Sequence, residues 1–236
     1  MPPPDRWPSQ LVLDLGLPPP ATFDSFVAGT NVEALERLRA LAAGDRAQRF
    51  LYLWGPAGSG RSHLLAALAA AARGAARLLG PVAPLSAFVS GPDAPVTLVD
   101  DVQALDAIRQ EAAFHLYVAA QQDPRLAFVA AGDHPPRGLA VREDLRTRLG
   151  GALVLRLEPL SDDDKRAALA AAARERGVAL PQEVLDYMLS HLPRDLPALM
   201  AALDALDRLA LERKRAVTLT LARELWQRPQ APGCPE

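Results

Sequence analysis

The sequence predicts an α/β fold, a three-layer parallel sheet followed by a small helical lid, and three observations predict it. Short apolar runs alternate with helix-forming segments from Arg49 to Leu160, the order that builds a parallel sheet covered by helices. The first of those runs enters a glycine-rich turn, GPAGSGRS (residues 55–62), and a helix-forming stretch follows at once. From Ser161 onward the strand-like runs stop and only helical patterns remain.

Each element has its own signal. The first 21 residues are proline-rich, broken by LVLDLGL, and read as a flexible arm. NVEALERLRALAAG reads as a helix, with Val32, Leu35, Leu38 and Leu41 on one face and Gly44 to end it. RFLYLWG is a strand, and SHLLAALAAAARG is the helix beyond the glycine turn. APVTLVDD is a second strand that ends in two acids. DAIRQEAAFHLYVAAQQ is helical, RLAFVAAGD is a third strand and GALVLRLEPL a fourth. The stretch between the glycine-turn helix and Asp100 is short and rich in Pro and Gly, which leaves one sheet element undefined. SDDDKRAALAAAARERG opens with a Ser161 cap and three acids in its first turn, and Gly177 stops it. Further helices are expected at 181–191, 195–214 and 220–227. The division is therefore an arm (1–21), an α/β base (22–160), a helical lid (161–228) and a disordered tail (229–236).

Composition narrows the functional classes. Apolar residues make up 50% and charged residues 23% of the 236, enough for a packed core. No apolar run of about 20 residues is present to span a membrane, and MPPPDRWPSQ lacks the pattern of a secretory signal. The single cysteine, Cys234, makes no internal disulfide and fits a reducing cytoplasm. A net charge of −2 argues against a general electrostatic grip on nucleic acid. His63, His115, His134 and His191 have no ligand spacing, so a zinc site is not expected. Trp54 and Trp226 read as core, and Trp7 as an anchor of the arm.

Residues 55–62 nearly match the phosphate-cradling pattern G-x-x-x-x-G-K-[S/T]. The backbone of Gly55, Pro56, Ala57, Gly58, Ser59 and Gly60 would close on phosphate oxygens, helped by the positive end of the next helix. Ser62 is the hydroxyl expected on Mg²⁺. Asp100, at the end of an apolar strand, is the acid expected to hold that ion, and Asp101 stands where a water-activating acid would be. The departure is Arg61, where the pattern has lysine. Only two of the 26 basic residues are lysines, Lys165 and Lys214, so a general arginine bias accounts for part of it. Arginine is a planar fork where lysine is a compact point charge. It neutralises phosphate but is poorly shaped to place a terminal phosphate for attack. The expectation is therefore bound ADP (or ATP) with Mg²⁺, and weak turnover.

Further segments carry a resemblance. TFDSFVAGTN (22–31), LVDD, AAGDHPP, REDLRTRLGGAL and LPRDLPAL resemble successive boxes of the AAA+ domain of DnaA, the bacterial replication initiator. They occur in the same order and cover roughly residues 22–228. DnaA continues into a DNA-reading helix-turn-helix that has no counterpart here, and the arginine-bearing loop is similar to that of the regulatory members of the DnaA-related family. In the arm, QLVLDL resembles a sliding-clamp-binding motif. There the glutamine is hydrogen-bonded and apolar residues three and five positions on fill a pocket, which implicates Gln10, Leu11, Leu13 and Leu15. Without the resemblance, Leu11, Leu13 and Leu15 alternate as an edge strand would.

The resemblance implies several roles. Val27 and Gly29 line the adenine pocket, with Phe23 and Phe26 packed beside it; His63, which follows the loop, reads as packing or phosphate-adjacent rather than catalytic. Asp133 falls at the sensor-1 position and Arg194 at sensor-2. Arg148 falls at the arginine finger, which acts on a neighbour's nucleotide; Arg142 and Arg146 compete with it. The partners implied are DnaA and the sliding clamp (the beta subunit of DNA polymerase III), with no membrane, no direct sequence-specific DNA binding, and self-association open. The activity implied is stimulation of the hydrolysis of DnaA-bound ATP on the DNA-loaded clamp, which holds off initiation. Two other readings stand beside it. One is a self-contained AAA+ ATPase of the helicase-loader or initiator type, and the other a binding module whose loop is vestigial.

Overall fold

The structure, a computed structural model, describes residues 21–89, 91, 94–193 and 195–226. The arm residues Gln10, Leu11, Leu13 and Leu15, and Arg194 of the lid, lie outside the described residues.

Five strands form one parallel sheet: β1 (Phe50–Trp54), β2 (Ala76–Leu79), β3 (Val96–Val99), β4 (Ala127–Gly132) and β5 (Leu153–Arg156), in the order β2-β3-β4-β1-β5. The central strands β1, β3 and β4 are near-continuous apolar runs because helices cover both faces. Side chains alternate between those faces. Leu51, Leu53, Leu98, Val129 and Leu155 pack under α1 (Val32–Ala42) and α2 (Arg61–Ala71). Tyr52, Val99, Phe128 and Ala130 pack under α3 (Ala107–Gln122) and α4 (Glu143–Gly150). The base is thus three layers with a core on each side of the sheet.

The sheet element left undefined in the sequence is β2. It is an edge strand of four residues whose Leu78 stays exposed, too short and too mixed for a periodic signal. Arg77 ties it down by donating to the carbonyls of Ala87 (3.3 Å) and Val89. Two further readings are adjusted. In α1 the buried face is Ala34, Leu35, Leu38 and Leu41, while Val32 is half exposed on the solvent side of the first turn. Trp54 and Trp226 are half-buried, Trp54 lying under the Arg156 guanidinium and Trp226 near the Tyr187 ring.

The C-terminal helices are α5 (Asp162–Glu175), α6 (Gln182–His191), α7 (Leu196–Arg213) and α8 (Leu219–Trp226). Ser161 and Asp164 form a reciprocal capping box on α5: the Ser161 hydroxyl accepts from the Asp164 N–H and the Asp164 carboxylate accepts from the Ser161 N–H, both 3.1 Å. These helices enclose their own core of Leu169, Leu185, Met188, Leu199, Leu203 and Leu206. Asn31 and Gly29 meet the junction between the two cores. Asn31 is buried, donates to the Glu158 carbonyl (2.9 Å) and accepts from the Glu158 N–H (2.8 Å). Gly29, at φ +51°, comes so close to Leu160 and Asp164 that a Cβ would lie 3.0 Å from the leucine.

Candidate nucleotide site

The site is built at the carboxyl ends of β1, β3 and β4, where ligands of open α/β sheets bind. β1 runs out of the sheet at Trp54, opposite Gly132 of β4, and the Gly55 N–H donates to the Gly132 carbonyl (3.4 Å). Gly55 has no room for a side chain, because a Cβ there would collide with the Leu157 carbonyl and approach Ser59 Oγ at 2.8 Å. Gly60 closes the loop at φ +92°, and a Cβ would lie 2.6 Å from the Phe26 ring. Both constraints are steric, so the glycine pattern follows from packing and backbone sign together. α2 then begins at Arg61, and its first amides have no partners within the helix. Those N–H groups and the helix dipole favour an anion at this end.

Two buried polar atoms inside this loop have no hydrogen-bond partner: Ser59 Oγ and Arg61 Nη1. Buried polar atoms are nearly always satisfied, and a phosphate group would satisfy both. The Arg61 side chain is only 12% exposed, and its other terminal nitrogen lies 3.6 Å from Asp101 Oδ1. Arg61 therefore faces the acids that end β3. Asp100 is half-buried, and its carboxylate accepts the Asp101 N–H at 2.9 Å. Asp101 itself sits in the left-handed region, at φ 45° and ψ 53°. Among the described residues no group of three or more His, Cys, Asp or Glu gathers to hold a metal. Mg²⁺ brought in with a nucleotide needs only one or two protein ligands beside phosphate and water, and Ser62 and Asp100 would be the candidates.

The sequence gives no signal for Gln103, which joins the site's two acid-bearing strand ends. Its amide donates to Asp101 Oδ1 (3.1 Å) and its carbonyl oxygen accepts from the Asp133 N–H (3.3 Å). Asp133 follows β4 and pairs with His134 Nδ1 at 3.0 Å. Tyr52 holds that turn from below: its hydroxyl donates to the His134 carbonyl (2.7 Å) and fills the space beside Gly132. Burial, and secondarily the Asp133 carboxylate, push the Tyr52 phenol well above its ordinary pKa, so it stays a donor. A tyrosine inside the apolar run FLYLW was the available clue, since a buried phenol needs a partner.

The linker 22–31 drapes over the same end. His63 Nε2 contacts the Thr22 carbonyl (3.0 Å) and Ser25 Oγ (3.3 Å), and the Phe26 ring lies 5.5 Å from the imidazole. His63 is thereby committed to the linker rather than directed at the phosphate loop. Phe23 and Phe26 pack on the α1–α2 core, Val27 is half-buried, and Gly29 lies against Leu160 and Asp164 at the start of α5.

Arg148 of α4 and the helix's N-cap, Arg142, are engaged with other groups. Arg142 is engaged by Glu111 and Asp144, each at 2.9 Å, which also holds the Asp144 carboxyl below its ordinary range. Arg148 lies over the Phe114 ring, 6.0 Å from its centre, and makes no ion pair among the described residues. Both line a shallow depression with Phe114, Glu143, Asp144 and Thr147. No acid fixes Arg146 or Arg148, so the structure separates them from Arg142.

A parallel sheet in this order, with a phosphate loop after β1, acids after β3 and a helical lid, defines the AAA+ class of P-loop proteins. The fold is similar to domain III of the replication initiation protein DnaA of Thermotoga maritima, with a TM-score of 0.69, 21% identity, and 89% of this chain and 96% of that chain covered. It is also similar to AMPPCP-bound DnaA of Aquifex aeolicus (TM-score 0.66, 23% identity, 83% and 68% covered). The RuvB Holliday junction branch migration motor of Thermotoga maritima shares the fold more distantly in sequence (TM-score 0.64, 15% identity, 88% and 72% covered). Residues 162–225 match the family described as Hda, lid domain. The chain thus shares the fold of these AAA+ proteins, and its C-terminal helices carry a lid of the Hda family. No helix among the described residues is long and apolar enough to cross a membrane.

Proposed function

We propose that this chain is an ADP-binding regulator that docks on the DNA-loaded sliding clamp and stimulates hydrolysis of ATP bound to DnaA. The observation that carries the reading is an Hda-type lid joined to a phosphate loop whose cation, Arg61, is turned toward Asp101. Such a loop favours retention of nucleotide over its turnover. The useful hydrolysis then belongs to the partner.

In this reading the loop amides of residues 55–60, Ser59 Oγ and Arg61 Nη1 hold the phosphates, with Ser62 and Asp100 toward Mg²⁺. Mg²⁺, when bound, neutralises phosphate charge; everything else is supplied by this chain's residues. Val27 and Gly29 border the base, Asp133 and Arg194 stand as sensors, and the lid angle follows the nucleotide. A similar fold with bound AMPPCP, that of Aquifex aeolicus DnaA, supports a nucleotide in this cleft. Arg148 is the candidate finger because its guanidinium rests on Phe114 unclaimed by a carboxylate, whereas Arg142 is held by two. The arm residues Gln10, Leu11, Leu13 and Leu15 would grip the clamp's beta subunit, in the cytoplasm.

The test is the hydrolysis of ATP pre-bound to DnaA, with this chain and DNA-loaded clamp present. Wild type should stimulate it in a clamp-dependent way, and Arg148→Ala should abolish the effect; arginine fingers in GTPase pairs contribute about 10³- to 10⁵-fold. Gln10→Ala should lose the clamp dependence. Stimulation indifferent to Gln10 removes the docking. Hydrolysis by this chain alone, without DnaA, would instead identify a self-contained ATPase.

A further inference from the structure

We infer that Asp101, held by Gln103 and shared with Arg61, is a selectivity latch that makes the site prefer a nucleoside diphosphate over the triphosphate. The inference rests on the proposed nucleotide reading of the loop. It adds the residues that set which phosphate chain is accepted.

Three contacts fix Asp101. Its Oδ1 accepts the Gln103 amide at 3.1 Å, and the same oxygen lies 3.6 Å from Arg61 Nη2. Its N–H is bonded to the Asp100 carboxylate at 2.9 Å, with the backbone in the left-handed region. Gln103 is fixed in turn, because its carbonyl oxygen accepts the Asp133 N–H at 3.3 Å. The carboxylate is thus held facing the phosphate loop.

Arg61 divides its fork. One nitrogen is engaged with Asp101 while the other is buried in the loop without a partner. A phosphate oxygen completes the second arm and leaves the first in place. A lysine has one ammonium and no such division, so it would leave the acid for the phosphate. Asp100 and Asp101 follow β3 on the side of the loop where Arg61 meets Asp101, and Gln103 ties Asp101 to the Asp133 N–H after β4. A terminal phosphate adds negative charge on that side. To be neutralised beyond what Mg²⁺ supplies, it draws Arg61 away from Asp101 and exposes the carboxylate to a like charge. A diphosphate asks for neither.

The test is equilibrium titration of the full chain with Mg²⁺ and two probes, fluorescent ADP and the non-hydrolysable triphosphate AMPPCP in competition with it. Wild type should prefer the diphosphate. Gln103→Leu cannot hold Asp101, and Asp101→Asn removes the like charge. Each should shift the ratio of the two dissociation constants toward the triphosphate by about tenfold, the size of exchanging one charge-assisted hydrogen bond. Asp101 is 42% exposed in its side chain, so the asparagine variant keeps the test open where the leucine variant folds poorly. A preference unmoved in Asp101→Asn overturns the latch while leaving nucleotide binding intact. An equal loss of both affinities assigns the network a merely structural role and also overturns it. A wild-type chain that binds neither probe overturns the underlying nucleotide reading as well.

Discussion

At Gly60 one hydrogen atom does the work that no other side chain permits. Its φ of +92° already disfavours any L residue, and a methyl group would lie 2.6 Å from the Phe26 ring. Gly60→Ala should therefore cost about 1–3 kcal/mol in backbone conformation alone, and displace Phe26 and the linker with it. Calorimetric unfolding and ADP titration should both register the change; a variant with wild-type stability and affinity would refute this account of the loop. Tyr52→Phe makes a different demand. It deletes one oxygen, leaves the His134 carbonyl short of its donor, and should cost about 1–3 kcal/mol. Denaturant unfolding checks the value. The glycines were legible because they obey a spaced pattern. Gln103 was not, because nothing in VDDVQ marks a side chain that bonds back two residues and across to another strand.

Helix ends carry the next level of information. Asp106 caps α3, and its carboxylate accepts the Arg109 N–H at 2.8 Å, the main reason its pKa lies below the ordinary value. A carboxyl depressed in the folded state stabilises fully above its unfolded pKa, and the contribution is lost as pH falls through the folded one. Asp106→Asn keeps a neutral capping oxygen. It should lower the melting temperature modestly at neutral pH, where the carboxylate contributes fully, and converge with wild type in acid, so that the acid side of the stability profile flattens. An unchanged acid limb counts against the assignment. The long helices and buried strands were readable from their period and caps: Ser161 and Gly177 bracket α5 almost as the sequence implies. The short edge strand β2 and helix α4 were not. β2 has four residues, and α4 follows an N-cap, Arg142, that makes no side-chain cap bond, so neither offers a clear start signal.

Base and lid have separate cores, and Asn31 and Gly29 of the base both meet the segment that leads into the lid. Asn31 alone satisfies both the N–H and the C=O of Glu158, just before the chain enters α5. Sequence reading places this asparagine at the start of α1, yet its side chain makes no bond to that helix; a partner 127 residues away is beyond any local pattern. Asn31→Ala should leave two half-buried backbone groups unpaired, at a cost of about 1–3 kcal/mol, without touching either core. Local opening then precedes global unfolding. Hydrogen exchange should quicken across residues 157–161 and change little in the centres of β4 and α7. If nucleotide bridges base and lid, ADP at a hundred times its dissociation constant adds about 2.7 kcal/mol and should restore part of that protection. Uniform acceleration across both cores would instead make Asn31 an ordinary part of the global fold, and the junction no hinge.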